Sequence, residues 1–114
     1  LGNAMIIGIW AVMADVLTLA KACGVDAGYA IGLLGALDLN AIVARRGKSM
    51  ATGDFTPSFE LVMARKDVRL MLETSGGLPL ATLPAIAARM DVLIAAGHGA
   101  RDSAVLAIDA VRQA

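Results

Sequence analysis

An all-α fold of about six helices is predicted by three features of the sequence. Apolar residues run in long blocks, of which the first covers residues 4–20. No stretch alternates apolar and polar residues with the period of two that half-buried strands show. The blocks end at glycines or at clusters of turn-forming residues, where helices commonly stop. No internal repeat is present, so we expect one domain of 114 residues built from helices joined by turns.

The first helix is long and almost wholly apolar, since residues 4–20 carry a single charge, Asp15. We expect it to end at Lys21-Ala22-Cys23-Gly24, because a cation and a glycine suit a helix C-terminus. A membrane span needs about 20 apolar residues and tolerates a carboxylate poorly. A helix that is apolar on every side is otherwise buried in a large protein assembly, and we favour that interpretation here.

The second and third helices are predicted from their end signals. Asp26 is placed to cap a helix that runs to about Leu34, and Gly35 stops it. A third helix is expected over residues 37–46. The following segment, residues 47–58, is rich in turn formers, and we expect it to be the one sustained irregular stretch.

The fourth helix is predicted to start at Pro57 or Ser58 and to end at Gly76-Gly77. Its broad apolar stripe comprises Phe59, Leu61, Val62, Val68, Leu70, Met71 and Leu72. On such a helix Phe59 and Asp67 lie just over two turns apart, with side chains that project about 80° apart along one side.

The fifth helix is predicted to begin with Pro79 in its first turn and to end at Ala96. The last helix is predicted to be capped by Asp102 or Ser103 and to end at Val111. Pro79 suits the first turn of a helix, where its missing N–H is not needed. Pro84 then lies either in the first turns or at a kink. Gly97-His98-Gly99 closes the fifth helix.

Composition excludes several classes of protein. Ten basic and ten acidic residues cancel, so no basic field attracts nucleic acid, and we expect no nucleic-acid partner. A single cysteine, Cys23, forms no internal disulfide, which indicates a reducing, cytoplasmic location. Hydrophobic residues make up 58% of the chain, more than a small core absorbs. We therefore expect apolar surface that faces a protein partner rather than a membrane.

Few residues suggest chemistry by themselves. His98 stands between two glycines without a second ligand at metal-binding spacing, so no metal site is predicted. The Gly97-His98-Gly99 turn follows a helix, whereas a dinucleotide fingerprint follows a strand. The Lys66-Asp67 pair interrupts an apolar helix, and taken alone it fits a solvated helix face. Asn3, Asp15 and Asp102 are interpreted as helix caps or buried partners.

Further motifs place the chain in a family. They are, in order, Asn3 opening the first helix, Gly24-Val25-Asp26, Ser49-Met50, Asp54-Phe55-Thr56-Pro57-Ser58-Phe59, Lys66-Asp67-Val68-Arg69-Leu70, Leu78-Pro79-Leu80 and Gly97-His98-Gly99-Ala100-Arg101-Asp102-Ser103-Ala104. In this order and spacing, over essentially all 114 residues, the chain resembles the C-terminal helical domain of the β-hydroxyacid dehydrogenases. That family includes 3-hydroxyisobutyrate dehydrogenase, tartronate semialdehyde reductase and glyoxylate/succinic semialdehyde reductase.

The resemblance implies a fold similar to the C-terminal domain of 6-phosphogluconate dehydrogenase and a domain for substrate binding and dimerisation over residues 1–114. It implies NAD or NADP as cofactor, a small hydroxy acid or semialdehyde as substrate, and a homodimer or higher homo-oligomer. A Rossmann domain precedes the helical domain in the family and binds most of the cofactor. We expect this chain alone to be inactive because it lacks that domain.

The resemblance also assigns site residues. Asn3, Phe59 and Asp67 correspond to positions that bind substrate, and Lys66 to one that binds the cofactor. The catalytic Lys of the family falls two positions before Leu1, so no catalytic residue is expected within the chain. Asp15 stands where the family usually has Glu, and we expect it to affect helix packing more than chemistry.

Two alternatives remain open. The chain is also compatible with a non-catalytic helical dimerisation module, or with the C-terminal domain of an imine reductase. The intact Lys66-Asp67 pair counts against the imine reductase. An upstream Gly-rich motif and a Lys four residues before Asn3 would indicate the dehydrogenase, and a start codon near Leu1 would indicate the module.

Overall fold

The computed structural model describes residues 1–112 and confirms the all-α prediction. That range contains six α-helices and no β-sheet. They are α1 (Gly2–Ala22), α2 (Ala27–Leu34), α3 (Leu39–Thr52), α4 (Leu61–Ser75), α5 (Leu83–Leu93) and α6 (Ile108–Val111). A π-helical turn, Ile94–His98, follows α5, and a 3₁₀-helix, Ser103–Ala107, precedes α6.

The chain divides into two compact units. Unit 1 comprises Leu1–Leu37 and Val68–Ile86, and unit 2 comprises Asp38–Asp67 together with the chain from Ala87 onward. The division falls inside α4 and inside α5, so each of these helices supplies residues to both units.

In unit 1, α1 ends and α2 begins where the sequence predicts. The last turn of α1 leads through Cys23 into Gly24, whose φ of 71° is the left-handed conformation that favours glycine. The carboxylate of Asp26 accepts the backbone N–H of Tyr29 at 3.0 Å and so caps α2, which packs against α1. Along α1 only Asp15 and Ala20 are buried.

The carboxylate of Asp15 joins α1 to the start of α5. It accepts the backbone N–H groups of Ala81 (2.5 Å), Thr82 (2.9 Å) and Leu83 (3.0 Å), and the hydroxyl of Thr82 (2.7 Å). Burial raises the pKa of Asp15, but these hydrogen bonds outweigh burial and hold the pKa below its usual value. As expected, this residue stabilises the packing of helices within unit 1.

The prediction that α5 begins at Pro79 is wrong. The helix begins at Leu83 because Asp15 binds the N–H groups just before and at that residue, as an N-cap would. Pro84 therefore lies in the first turn, where no N–H acceptor is needed, which was one of its two predicted positions. Gly97, with a φ of 95°, ends the helical run that starts with α5, close to the predicted end.

In unit 2, α3 is longer than predicted. Residues 47–52, predicted to be irregular, are helical, and the helix ends at Gly53 with a φ of 69°. The hydroxyl of Ser49 donates to the carbonyl of Arg45 (3.3 Å) and that of Thr52 to the carbonyl of Lys48 (2.8 Å). Both side chains thus bond one turn back within the helix instead of breaking it. The helix packs against the 3₁₀-helix and α6 of the same unit.

The fourth helix starts later than predicted, at Leu61 instead of Pro57 or Ser58. Its buried residues, spaced as one helix face, are Leu61, Ala64, Val68 and Ser75. Four members of the predicted stripe, Phe59, Val62, Leu70 and Met71, are exposed. As predicted, α4 ends before Gly76 and Gly77, which both have positive φ.

The last predicted helix is divided in two. Asp102 caps it as expected, accepting the N–H of Ala104 at 2.8 Å. The N–H of Val105 then bonds the carbonyl of Asp102 at 2.9 Å, an i to i+3 spacing that produces a 3₁₀-helix before the single turn of α6.

Within residues 1–112, α1 is the one helix long and apolar enough by itself to cross a membrane. The stretch over α2 and α3 meets the same criterion only if these two helices are counted as one span. The criterion is the length and the composition of a helix. The charged residue Asp15 lies within α1.

Asp15→Ala is expected to lower the free energy of unfolding by about 2–3 kcal/mol, because it leaves several buried N–H groups at the start of α5 without an acceptor. Urea unfolding followed by circular dichroism measures the loss. Asp26→Ala is the matched control, since it removes an exposed cap with a single hydrogen bond in the same unit, and should cost less. Equal losses in the two variants would contradict the role given to Asp15.

Candidate functional site

Lys66 and Asp67 lie on α4, away from its buried face. On a regular helix Lys66 projects about 170° from the mean direction of the buried side chains, and Asp67 about 90° from it. Consistent with this geometry, Lys66 is exposed and Asp67 is partly buried. Both residues belong to unit 2.

The charges on either side of the pair are already engaged. Arg65 Nε bonds Asp91 Oδ1 at 2.7 Å, and Arg69 Nη1 bonds Glu73 Oε1 at 3.0 Å. This contact with Arg65 holds the pKa of Asp91 below its usual value. Among residues 1–112, neither Lys66 nor Asp67 has an ion-pair or hydrogen-bonding side-chain partner. The flanking arginines therefore bind acids of the chain, whereas the Lys66-Asp67 pair makes no such contact within the described residues.

Phe59 does not lie on α4, so the predicted 80° relation between Phe59 and Asp67 on one helix is wrong. It lies two residues before the helix, in a bend next to the isolated bridge between Glu60 and Asp102, and its side chain is 40% exposed. Its N–H donates to Asp102 Oδ1 at 3.0 Å. Its carbonyl oxygen accepts the N–H of Ser103 at 2.8 Å and the hydroxyl of Ser103 at 2.6 Å.

Asp102 is the buried acceptor that organises this segment, with 2% of its surface exposed. Its Oδ1 accepts the N–H groups of Ser58 and Phe59, both at 3.0 Å, and its Oδ2 accepts the N–H of Ala104 and a hydrogen bond from Arg46 Nη1. These contacts are why Ser58 and Phe59 stay outside α4, contrary to the prediction. Burial raises the pKa of Asp102, but the Arg46 guanidinium and the backbone donors outweigh burial and hold the pKa far below its usual value.

The turn that carries Asp102 also caps α4. The N–H of Leu61 donates to the carbonyl of Arg101 at 2.8 Å, and the N–H of Val62 to the carbonyl of Gly99 at 3.0 Å. Two of the N–H groups that a helix start leaves unpaired are thereby satisfied. Residues 99–103, which we call the corner, thus contact both Phe59 and the beginning of the helix that carries Lys66.

Phe55 contacts the corner through both its ring and its backbone. It is 7% exposed and its ring lies 5.1 Å from the guanidinium carbon of Arg101, a cation–π distance. The carbonyl of Phe55 accepts the N–H of Asp102 at 2.9 Å. His98 Nδ1 is 3.4 Å from Arg101 Nη1, and no group of three or more metal-binding side chains occurs in the described residues.

Three of the four predicted site residues belong to the same compact unit. Phe59, Lys66 and Asp67 belong to unit 2, whereas Asn3 lies on α1 in unit 1 with its side chain exposed. Sequence reasoning missed Arg46 and treated Asp102 as a cap or buried partner without its contacts. An Asp within a Gly-rich turn indicates a cap, but no local signal identifies a donor 56 residues away.

Comparison with known proteins identifies the family of the chain. Residues 1–108 match a family model described as NAD-binding of NADP-dependent 3-hydroxyisobutyrate dehydrogenase. The match defines an NAD-binding domain of an oxidoreductase family. The chain belongs to the 3-hydroxyisobutyrate dehydrogenase family, which confirms the resemblance to β-hydroxyacid dehydrogenases and NAD(P) as the class of cofactor. A search of curated proteins found no match.

The charge of Asp102 is expected to make stability depend on pH in the acid range. Because its pKa in the folded protein lies below the unfolded value of about 3.9, the folded state binds fewer protons. Its contribution is complete above the unfolded pKa and is lost as pH falls toward the folded pKa. Asp102→Asn removes this titration, so unfolding free energy should fall less between about pH 5 and pH 2 in the variant than in the wild type.

Urea unfolding at a series of pH values measures this effect. The quantity compared is the slope of the unfolding free energy against pH, so a lower stability of the variant at neutral pH does not affect the comparison. Arg46→Met serves if Asp102→Asn does not fold, because it removes the side chain that lowers the pKa of Asp102 most. It should flatten the profile in part. Parallel profiles in variant and wild type would contradict the assignment.

Proposed function

We propose that this chain is the substrate-binding and dimerisation domain of an NAD(P)-dependent β-hydroxyacid dehydrogenase that works with a preceding Rossmann domain. The observation that carries the proposal is the Lys66-Asp67 pair, which has no ion-pair or hydrogen-bonding side-chain partner among residues 1–112 and lies between two arginines that do. Family membership gives this pair its context. The reaction is oxidation of a small 3-hydroxy acid, or reduction of the corresponding semialdehyde.

Lys66 fits a cofactor contact by the chemistry of its side chain. An exposed ammonium has three donors and a compact positive charge, which suit a phosphate oxygen or a ribose hydroxyl. Bound NAD(P) supplies the hydride chemistry of such an enzyme, and the protein supplies orientation. Since the described residues contain no strand, and hence no strand–helix phosphate turn, we assign most of the nucleotide contacts to the preceding domain.

The substrate residues divide by chemical type. The exposed ring of Phe59 offers an apolar wall for the carbon skeleton, and the partly buried carboxylate of Asp67 offers an acceptor to a hydroxyl. The amide of Asn3 donates and accepts, so it suits a hydroxyl or carboxylate. We assign the proton step to the Lys that family resemblance places one helical turn before Asn3, outside this chain, where it also stabilises a developing alkoxide.

The exposed apolar residues of unit 1 support burial against other protein. On α1 they are Met5, Ile6, Ile7, Trp10 and Val12, and we assign this surface to the preceding domain. On and after α2 they are Tyr29, Ile31, Leu33 and Leu37, and we assign these to a second copy of the chain. Interfaces of this kind, which resemble a core cut in half, are typical of obligate oligomers.

Protein is the better cover for α1 than lipid. In a membrane span the carboxylate of Asp15 and the turn at residues 81–83 that it binds would both lie at membrane depth. We therefore propose a cytoplasmic enzyme, in agreement with the single, exposed Cys23.

A non-catalytic dimerisation module is the second candidate, because the exposed apolar helices suit it equally well. Lys66 separates the two, because the proposed dehydrogenase domain uses its ammonium to bind the cofactor and a scaffold does not. We expect Lys66→Ala to raise the KM for NAD(P) by about tenfold or more, the effect of losing one charge-assisted hydrogen bond. The value of kcat should change much less, because the contact is uniform binding of the cofactor.

Steady-state kinetics of the enzyme assembled with its dinucleotide-binding domain measure both constants. Lys48→Ala is the matched control, since Lys48 is an exposed lysine of the same unit and should leave both constants unchanged. An unchanged cofactor KM in Lys66→Ala would contradict the role of Lys66.

The chain is expected to be a dimer or higher oligomer at micromolar concentration, as measured by light scattering. Leu33→Glu places a charge on an apolar surface that is 57% exposed and should lower the molar mass toward that of the monomer. Thr74→Glu adds a charge at an exposed polar position of the same unit and is the control. A monomeric wild-type chain would refute the dimerisation role.

A further inference from the structure

The backbone of Phe59 is fixed on both sides while its ring remains exposed. Both backbone groups bond to the corner, the N–H to the Asp102 carboxylate and the carbonyl to Ser103. Neither group takes part in a helix or sheet, since Phe59 precedes α4 and meets the corner through an isolated bridge between Glu60 and Asp102. The orientation of the ring therefore depends on residues more than 40 positions away in the chain.

Asp102 is unsuited to contact a ligand itself. Its carboxylate accepts five hydrogen bonds: from Arg46, from the N–H groups of Ala104 and Phe59, and from both the N–H and the hydroxyl of Ser58. A carboxylate offers about four lone-pair sites, so its capacity is filled. Being buried and saturated, it acts on other residues through their positions.

The same corner fixes the start of α4. Because the carbonyls of Gly99 and Arg101 accept the N–H groups of Val62 and Leu61, the corner sets where α4 begins and how Phe59 leads into it. Lys66 lies one helical turn beyond Val62 on the same side of α4. The corner thus determines the spacing between the ring of Phe59 and Lys66.

We propose that Asp102 and Ser103 are positioning residues, which hold the backbone of Phe59 so that its ring lies correctly for the substrate. The inference rests on the proposed function, because Phe59 matters only if it contacts the substrate. Asp102 binds the N–H of Phe59 and Ser103 binds its carbonyl, and we call this pair of contacts the clamp. The hydroxyl of Ser103 can be removed without disturbing the buried charge of Asp102.

The first test measures the ring directly. Phe55 and Phe59 are the only phenylalanines of the chain, so labelling with 4-fluorophenylalanine gives one buried and one exposed ¹⁹F probe. Ser103→Ala should shift or broaden the Phe59 resonance and leave that of Phe55 in place. Ser75→Ala, which also removes a serine hydroxyl bonded to a backbone carbonyl (2.7 Å), is the matched control and should move neither. An unchanged Phe59 resonance in Ser103→Ala would overturn the clamp.

The second test measures the consequence in the enzyme assembled with its dinucleotide-binding domain. Ser103→Ala should raise the KM for the hydroxy acid by about three- to tenfold, the effect of one neutral hydrogen bond, with a smaller change in the KM for the cofactor. Phe59→Ala should raise the same substrate KM. The double variant should be no worse than Phe59→Ala, since Ser103 acts through that ring.

The outcomes separate the clamp from the function on which it rests. Multiplicative effects of the two substitutions on substrate KM would overturn the positioning role, because they would show that Ser103 acts independently of Phe59. A moved Phe59 resonance together with an unchanged substrate KM in Phe59→Ala would instead refute the proposed substrate contact of Phe59, and with it the positioning of a substrate-binding ring. A moved resonance with a non-additive rise in substrate KM supports both.

Discussion

The carboxylate of Asp102 is the contact on which most of unit 2 depends. It ties α3 through Arg46, the segment before α4 through Ser58 and Phe59, and the 3₁₀-helix through Ala104. A buried carboxylate is costly unless its oxygens are bonded, and here the donors come from three separate parts of the chain. Those parts are therefore fixed relative to one another by a single side chain. Asp15 joins α1 to the start of α5 in unit 1 in the same way, with three backbone donors and the hydroxyl of Thr82.

Sequence reasoning succeeded where the signal was local. The end of α1 at Gly24 and the cap of α2 at Asp26 depend on residues within a few positions of each other, and both were predicted. The starts of α4 and α5 were misplaced by three to four residues or more, because each is set by a carboxylate 43 to 68 positions distant. Propensity and capping patterns hold no information about such partners.

The candidate site divides in the same way. The Lys66-Asp67 pair is a sequence motif, and its place on a helix followed from apolar periodicity. The absence of side-chain partners for the pair within residues 1–112 did not, because it depends on which acids the neighbouring arginines reach: Asp91 for Arg65 and Glu73 for Arg69. For Phe59 the motif suggested a candidate, which stays a prediction, but the helical geometry drawn for it was wrong, since a long-range acceptor removes its N–H from the helix.

The interleaving of the two units has a consequence for how this domain can be inherited. Each unit is made of two stretches of chain, and α4 and α5 each pass from one unit to the other. No single cut in the polypeptide separates unit 1 from unit 2. Removing either end of the chain takes residues from one unit, and the other unit stays joined to the rest of that unit. Gene fusion or shortening can therefore add or remove this domain only whole. The chain therefore behaves as one indivisible module, although it contains two compact units.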